Sequence, residues 1–451
     1  MLDLIIVKKL LISANLVDLK KSYISFDSNT SYNIIELYLN KENNLVCPIC
    51  GSKYVYVRGS KISRTKTSFQ DAPLVFVNVH RRTYVCDNNH HFSQENPITP
   101  ECRKMTAQFE VLILKDLKNI NTNFKTIAKK YDVSSTYLID LFDRKVDIKR
   151  QHLPQVLCID EVYAKKLAKY SYCCVLYSPQ LRKIIDVLDS RRKIDLVDYF
   201  AKIPIDEKNK VKFISMDLWD SYREMAKLCL PKAKISADPF HVVKNLTECF
   251  TKIRIAVMNK YVHLKKEKTT YYWLYKKYWK FLLKDKSKLP NGSIKVNKLG
   301  MEMTKDQIID NMLSLSETLA KAYELKEEYR NFVATATLAT AEDELDSLII
   351  KFKDAHIPEY SKFINIMENW HDEIINSFNT INGHKITNGP MERVNRDIKQ
   401  IFLSSYGSSN FTRMRNRIMY CINDDASILY YKKEKSNKRE MPARGKYIKN
   451  K

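Results

Sequence analysis

Between Pro154 and Asp238 the chain alternates short apolar runs with amphipathic stretches, and this pattern constrains the fold more than any other feature. Three consecutive strands are predicted first, and helix and strand alternate after them. This order is typical of an α/β arrangement in which helices cover a mixed sheet. The predicted strands are residues 156–159, 172–177, 184–188, 211–216 and 233–237, and the predicted helices are residues 194–203 and 221–230.

Two aspartates follow predicted strands of this sheet. Asp160 comes after the run 156–159, and Asp217 comes after the run 211–216. Carboxylates on neighbouring strand ends can hold a pair of divalent ions about 4 Å apart. Because both ligands are hard oxygens, they favour Mg²⁺ or Mn²⁺. An aspartate after a strand is also a common cap or turn residue, so its position alone leaves both roles open.

A further helix is predicted at residues 390–399, with Asn388 placed to cap it and Pro390 suited to its first turn. One stripe is apolar and would dock on the sheet, and the adjacent face combines a carboxylate, an amide and two cations. That face is suited to a metal ligand with DNA-backbone contacts, although an ordinary solvated face has the same pattern. The apolar positions are Met391, Val394, Ile398 and Ile401, and the polar ones are Glu392, Asn395, Arg396 and Lys399.

The first quarter of the chain is predicted to form short β pieces around a pair of cysteines. Cys47 and Cys50, with Pro and Ile between them and Gly51 after them, have the spacing of a zinc knuckle. Cys86 and a following histidine would complete a tetrahedral Zn²⁺ site. We take His91 as the fourth ligand, although the spacing of His90 fits equally well. Reduced core cysteines with incidental histidines are the alternative explanation, and Cys102 is a substitute ligand of lower rank.

Residues 104–150 have the proportions of a helix-turn-helix domain. Three helices are predicted there, and the third begins at Ser134 or Ser135 and ends near Val146. In such a domain the third helix enters the major groove of DNA. A plain helical hairpin packed on the next domain is the alternative. The residues expected to contact bases are Ser135, Thr136 and Tyr137.

The chain is strongly basic, with 77 Lys and Arg against 52 Asp and Glu and a formal net charge of +25. Such an excess attracts polyanions, and nucleic acid is the commonest of these in a cell. A membrane surface is the competing partner, but no uninterrupted apolar run of about 18 residues is present to span one. Residues 1–16 lack the pattern of an export signal, so we expect a cytoplasmic protein with double-stranded DNA as its partner.

Several motifs, in the same order along nearly the whole chain, resemble those of the ISL3 family of transposases. The N-terminal CPICG and Arg81-Arg82 with Cys86 are similar to the zinc-binding segment of that family, which usually has cysteine where this chain has His90 or His91. The other matching segments are VLCIDE at 156–161, Ser215-Met216-Asp217 with Tyr222, ADPFHVV at 237–243, GPMERVNRDIK at 389–399, and Tyr406-Gly407 with Phe411 and Arg413 to Arg417.

The resemblance implies an α/β RNase H-like catalytic core with a large all-α insertion, preceded by an N-terminal zinc-binding β module. The helix-turn-helix domain predicted from residues 104–150 would lie between the β module and the core. Asp160, Asp217 and Glu392 match the catalytic triad that binds Mg²⁺ or Mn²⁺. Asp238 and His241 match a further motif and are expected to support the site or contact DNA. Glu161 is expected to point away from Asp160. Further DNA contacts are expected at Arg81, Arg82, Asn395, Arg396, Lys399, Arg413, Arg415 and Arg417.

The resemblance also implies a bacterial insertion-sequence transposase in the cytoplasm, associated with the nucleoid. It would bind terminal inverted repeats as a homodimer or a larger assembly on DNA. A non-catalytic DNA-binding regulator and a metal-dependent nuclease on the same fold are the alternatives, and the presence of all three carboxylates favours an active enzyme. The predicted domains are 1–103 (zinc-binding), 104–150 (helix-turn-helix), 151–240 (core, first part), 241–378 (insertion), 379–430 (core, last helices) and 431–451 (basic tail).

Overall fold

The computed structural model describes residues 3–27, 32–42, 44–69, 72–99, 104–164, 167–262, 269–284, 289, 292–381, 383–405 and 409–428. The chain divides into two units, the first made of residues 1–148, 400–406 and 416–451 and the second of residues 149–399 and 407–415. Three features of the sequence lie outside the described residues, namely Cys102, the pair Tyr406-Gly407 and the basic tail at 431–451.

The first unit begins with a sheet built on two long antiparallel strands, β3 and β4, of 15 residues each. Strand β2 pairs with β4 in parallel, and the sheet buries Val75, Val77 and Val79 against the N-terminal helix. The sequence predicted only short β pieces here, because β3 is largely exposed and carries few apolar residues. The elements are α1 (Leu4–Lys9), β1 (Tyr23–Asp27), β2 (Tyr32–Tyr38), β3 (Val55–Phe69), β4 (Ala72–Cys86) and β5 (His91–Ser93).

Three helices follow in the same unit, at the positions that the sequence predicted. Each begins at a polar residue whose side chain accepts a hydrogen bond from a backbone N–H of the first turn, as Ser134 does from Tyr137. Phe109, Leu138 and Phe142 are fully buried between the helices. The helices are α2 (Ala107–Asp116), α3 (Phe124–Lys130) and α4 (Ser135–Lys145).

The second unit contains a five-stranded sheet in the order β10-β9-β6-β7-β8. Strands β6, β7 and β8 pair antiparallel, whereas β9 and β10 are parallel to β6, so the predicted mixed sheet is confirmed. Helices α5 and α7 pack on it around Phe200 and Tyr222. The elements are β6 (Val156–Tyr163), β7 (Tyr172–Ser178), β8 (Lys183–Leu188), α5 (Lys193–Ala201), α6 (Ile205–Lys208), β9 (Phe213–Met216), α7 (Asp220–Cys229) and β10 (Lys234–Ala237).

The predicted insertion is mainly helical but not all-α, because a two-stranded hairpin interrupts it. Val296 and Met303 are buried on one side of that hairpin, and Gly300, at a φ of +67°, forms its turn. The helices share a core that includes Tyr275, Tyr329 and other aromatic residues. The elements are α8 (Pro239–Asn259), α9 (Thr269–Leu283), β11 (Ser293–Val296), β12 (Met301–Thr304), α10 (Lys305–Leu313), α11 (Glu317–Thr335), α12 (Ala341–Asp354), α13 (Ser361–Asn369) and α14 (His371–Asn376).

Two helices end the described part of the chain. The first buries Met391, Val394 and Ile398, the apolar stripe that the sequence predicted. In the second of these helices, Tyr420 belongs to the first unit, and its hydroxyl donates a hydrogen bond to the carbonyl of Leu114 in the same unit. None of the described helices combines the length and the apolarity needed to cross a membrane. The elements are β13 (Thr380–Ile381), β14 (His384–Lys385), α15 (Gly389–Ser404) and α16 (Phe411–Ile422).

Candidate active site

Asp160 and Asp217 lie beside each other at one edge of the mixed sheet. Strand β6 pairs with β9 up to Ile159 and Met216, and each aspartate is the next residue of its strand or loop. Asp160 is inside β6 rather than after it, because residues 160–163 remain paired with β7. Since β6 and β9 are parallel, both carboxylates leave the sheet in the same place.

The electrostatics of Asp160 reflect this proximity. Burial, and then the negative charge of Asp217, raise the pKa of Asp160 to about 7. The backbone N–H of Glu161, the charge of His241 and the side chain of Asn395 act in the opposite direction but do not cancel the shift. The two carboxylates therefore form a site that would gain stability from a bound cation.

His241 lies between two carboxylates. Its Nδ1 is 2.9 Å from Oδ1 of Asp217 and 3.0 Å from Oδ2 of Asp238. Burial alone would lower the pKa of His241, but hydrogen bonds and charge interactions with the two aspartates raise it to about 10. One ligand atom from each of these three side chains lies within 4.8 Å of the other two, as in a metal-binding cluster. The sequence had placed Asp238 and His241 in a supporting role, and the structure brings both to Asp217.

The segment before α15 is fixed to the sheet through Asp238. The hydroxyl of Thr387 and the backbone N–H of Asn388 donate hydrogen bonds of 3.2 and 3.3 Å to Oδ1 of Asp238. The side-chain amide of Asn388 donates to the carbonyl of Ile159, at 3.1 Å, instead of capping the helix as predicted. Sequence reasoning missed Thr387. The polar pair before Gly389 was the signal that could have indicated it.

Helix α15 reaches Asp160 through Asn395. The amide nitrogen of Asn395 donates a 2.6 Å hydrogen bond to Oδ2 of Asp160, although the sequence assigned Asn395 to DNA. Glu392 is three residues earlier, on the same side of the helix, and its side chain is exposed. It forms no ion pair within the part of the chain that the structure describes. Arg396 and Lys399, predicted to contact phosphates, are also exposed on α15.

The oxygen atoms around this site fit a hard divalent ion. Oδ1 of Asp217, Asn388 and Asn395 are buried and lack a well-aligned hydrogen bond within the described residues. His241 is near Oδ1 of Asp217 but is aligned for a hydrogen bond to Asp238. Buried oxygens without an aligned donor are costly, and carboxylate and amide oxygens are ligand types that Mg²⁺ or Mn²⁺ accepts.

Glu161 is turned away from Asp160, as the alternation of a strand requires. Its carboxylate accepts hydrogen bonds from Arg191 and, at 3.2 Å, from the hydroxyl of Tyr222. The guanidinium of Arg191 also lies over the rings of Tyr172 and Trp219, at 4.0 and 4.8 Å. Sequence reasoning singled out neither Arg191 nor Trp219, because their pairing depends on the sheet.

Three cysteines and one histidine meet in the first unit. Sγ of Cys50 is 3.7 Å from Sγ of Cys86, and Nδ1 of His90 is 3.6 Å from Cys86 and 4.0 Å from Cys47. These separations are close to the edges of a tetrahedron with Zn–S bonds of about 2.3 Å. Gly51, at a φ of +75°, makes the knuckle turn. A hydrogen bond from Asn88 is the main reason that the pKa of Cys50 falls to about 6, which favours the thiolate that zinc binds.

The fourth member of this cluster is His90 and not the predicted His91. After Cys86 the backbone turns, with Asn89 at a φ of +57°, and returns His90 towards the thiols. His91 then begins β5, where it pairs with Val85, and its exposed ring lies 2.8 Å from Arg58. Both histidines have suitable spacing from Cys86. The backbone turn, which the sequence pattern did not specify, determines that His90 and not His91 faces the thiols.

Several cations predicted to bind DNA form hydrogen bonds within the protein. Arg81 is buried and donates to Ser63 and to the carbonyl of Gln94. Within the second unit Arg415 pairs with Asp186, which is also buried. A basic cluster in the sequence can equally well provide internal donors for carbonyls and carboxylates. The residues with such internal contacts are Arg81 (to the Gln94 carbonyl), Arg82 (to the Leu39 carbonyl), Arg415 (to Asp186) and Arg417 (buried, to the Thr122 carbonyl).

The residues predicted to contact bases lie in the first turn of α4. Thr136 is exposed, and Ser135 is partly so. The hydroxyl of Tyr137 donates a 3.0 Å hydrogen bond to Glu110, so this side chain joins α4 to α2. Arg413, at the start of α16, is partly exposed.

A comparison with known proteins identifies the family. No curated protein matches the chain. The family model of the ISL3-type DDE transposases, described as Transposase, matches residues 157–418, which is more than half of the chain. This match includes Asp160, Asp217 and Glu392. The chain belongs to the ISL3 family of DDE transposases.

Proposed function

We propose that this transposase binds the ends of its own DNA element and cuts and transfers strands there, using divalent metal held by Asp160, Asp217 and Glu392. Family membership already assigns DNA as the substrate in general. The observation that carries the finer assignment is the pair Asp160 and Asp217, at the edge of two parallel strands. Burial, and then the negative charge of Asp217, raise the pKa of Asp160 to about 7, and a divalent cation would stabilise both carboxylates.

The side chains around the pair have separate tasks in this proposal. Asn395 holds Oδ2 of Asp160, so that the other carboxylate oxygen keeps a fixed direction. His241, held by Asp238, carries a positive charge beside Asp217 and restricts its rotation. Bound Mg²⁺ or Mn²⁺ would activate the attacking oxygen and stabilise the leaving oxygen of the phosphodiester. Glu392 would supply the third carboxylate from α15.

The remaining parts of the chain support the same proposal. The strand order β10-β9-β6-β7-β8 agrees with an RNase H-like core. Helices α2 to α4 have helix-turn-helix proportions, and α3 exposes Lys125 and Lys129, which are suited to phosphate contacts. Ser135 and Thr136 would then reach base edges from α4. We also propose that Zn²⁺ joins Cys47, Cys50, Cys86 and His90 and stabilises the knuckle.

The direct test is cleavage of labelled DNA that carries the ends of the element, with purified protein and Mg²⁺. Asp160→Asn, Asp217→Asn and Glu392→Gln are each expected to abolish cleavage. Asp206→Asn removes an exposed carboxylate from α6 and serves as the matched control. Calorimetric titration with Mn²⁺ alone should show weaker binding in the first two variants. Cleavage that persists in any one of the three triad variants would remove that residue from the triad.

A further inference from the structure

A groove of about 640 Å³ runs along α8, the helix that begins at the active site. The first residue of α8 that lines the groove is Phe240, which lies between Asp238 and His241 in the sequence. The groove therefore starts next to the catalytic carboxylates and continues into the helical insertion. Its lining includes Phe240, Lys244, Thr247, Thr251, Lys252 and Arg330.

The charge of the groove is positive. Lys244 and Lys252 are exposed and have no carboxylate within 4 Å in the part of the chain that the structure describes. Arg330 is held in place because its Nη2 donates a 2.7 Å hydrogen bond to the carbonyl of Leu283. The lining also contains one carboxylate, Glu248, which lies 3.9 Å from the ammonium of Lys362. The groove is thus lined by three cations and one carboxylate, and the charge of that carboxylate is offset by Lys362. This excess of positive charge favours an anionic ligand.

Phe240 adds an aromatic surface at the end of the groove nearest the active site. It is 54% exposed, whereas Val242, Leu246 and Phe250 of the same helix are buried. The ring stands edge-on to that of His241, with centroids 5.2 Å apart, so its position is defined. An exposed, well-positioned aromatic ring beside a row of cations is the combination on which bases of single-stranded nucleic acid stack.

The dimensions favour one strand over two. From Phe240 to Lys252 the helix rises about 18 Å, at 1.5 Å per residue. That length matches about five nucleotides at 3.4 Å each. A volume of about 640 Å³ is in the range of a pocket for one small ligand, so it fits one base and the adjoining backbone better than the width of a double helix.

We propose that the groove along α8 binds a single DNA strand that continues from the catalytic carboxylates. One base stacks on Phe240, and the phosphates that follow contact Lys244, Lys252 and Arg330. This inference rests on the proposed function, because it takes the DNA to be positioned at Asp160 and Asp217. It adds to that function a requirement that the strands separate beside the cleavage site.

The test compares two probes with the full-length protein in buffer without divalent metal, so that no cleavage occurs. One probe is a blunt duplex, and the other is the same duplex with a five-nucleotide single-stranded extension. Fluorescence anisotropy should show tighter binding of the extended probe. Phe240→Ala should reduce this preference about tenfold. Lys244→Ser with Lys252→Ser should reduce it as well and lower the salt dependence by about 1.4 in log–log slope.

The matched control is Lys321→Ser, nine residues before Arg330 and therefore on the opposite side of α11. It should leave both probes unaffected. A 2-aminopurine base in the extension should be quenched by the wild-type protein and not by Phe240→Ala. Asp160→Asn should keep the preference for the extension, which separates failure of this proposal from failure of the catalytic one. Equal affinity of the wild type for both probes, or equal loss for both in the lysine variant, would overturn the proposal.

Discussion

Asn395 donates a 2.6 Å hydrogen bond to Oδ2 of Asp160, across 235 positions of sequence. This bond joins the last core helix to the first strand of the mixed sheet. Glu392 lies three residues earlier on the same helix, and its side chain is exposed. Asn395 is therefore a positioning residue for the site, although the sequence suggested that it contacts DNA.

Asn395→Ala is expected to lower the rate of DNA cleavage about 10–100-fold, as is typical when a partner of a metal ligand is removed. The concentration of Mn²⁺ that gives half-maximal activity should rise at the same time, because the Asp160 carboxylate would lose its fixed orientation. Asn311→Ala, on the exposed surface of α10, is the control. A lower rate with an unchanged Mn²⁺ requirement would indicate that Asn395 acts on DNA instead.

The zinc proposal separates two adjacent histidines. His90→Ala is expected to lower the zinc content of the purified protein well below one equivalent, because His90 completes the cluster with Cys47, Cys50 and Cys86. His91→Ala should retain zinc, since its ring lies against Arg58. Metal analysis of both variants is the measurement. Equal zinc content in the two variants would contradict the assignment of His90.

The sequence predicted the strands that carry Asp160 and Asp217 because buried strands are continuous apolar runs, which are local patterns. It predicted the face of α15 for the same reason. It did not predict which polar residue contacts which, since the bonds of Asn388 and Asn395 connect segments more than 200 residues apart. The length of β3 was missed because an exposed strand has no apolar alternation to detect.

Basic residues were the least predictable, because a cation can serve the fold as well as DNA. Arg417 is 1% exposed, and its guanidinium lies over the ring of Phe124 and donates to the carbonyl of Thr122. Arg396 is also an arginine within a segment that resembles the family, yet its side chain is exposed. Burial, which depends on tertiary packing, distinguishes the two.

This difference gives opposite expectations for two arginine variants. Arg417→Ala should lower the free energy of unfolding by about 2–4 kcal/mol, because it removes a buried charged donor and its packing. Arg396→Ala should leave stability unchanged but weaken binding to duplex DNA and lower the salt dependence by about 0.9 in log–log slope. Thermal denaturation and salt-dependent anisotropy measure the two effects. Normal stability of Arg417→Ala would contradict the buried assignment.

Glu207, on α6, gives a stability that depends on pH. Arg150 donates two hydrogen bonds to it, and this pair is the main reason that the pKa of Glu207 falls from 4.5 to about 2. A lowered carboxylate pKa stabilises the fold above pH 4.5, and the contribution is lost as the pH falls towards 2. Glu207→Gln should therefore lower the free energy of unfolding by about 2–3 kcal/mol at pH 7 and by much less near pH 2.5. Denaturant titrations at both pH values measure this, with Asp206→Asn as the exposed control, and a pH-independent difference would exclude the Arg150 pair as its cause.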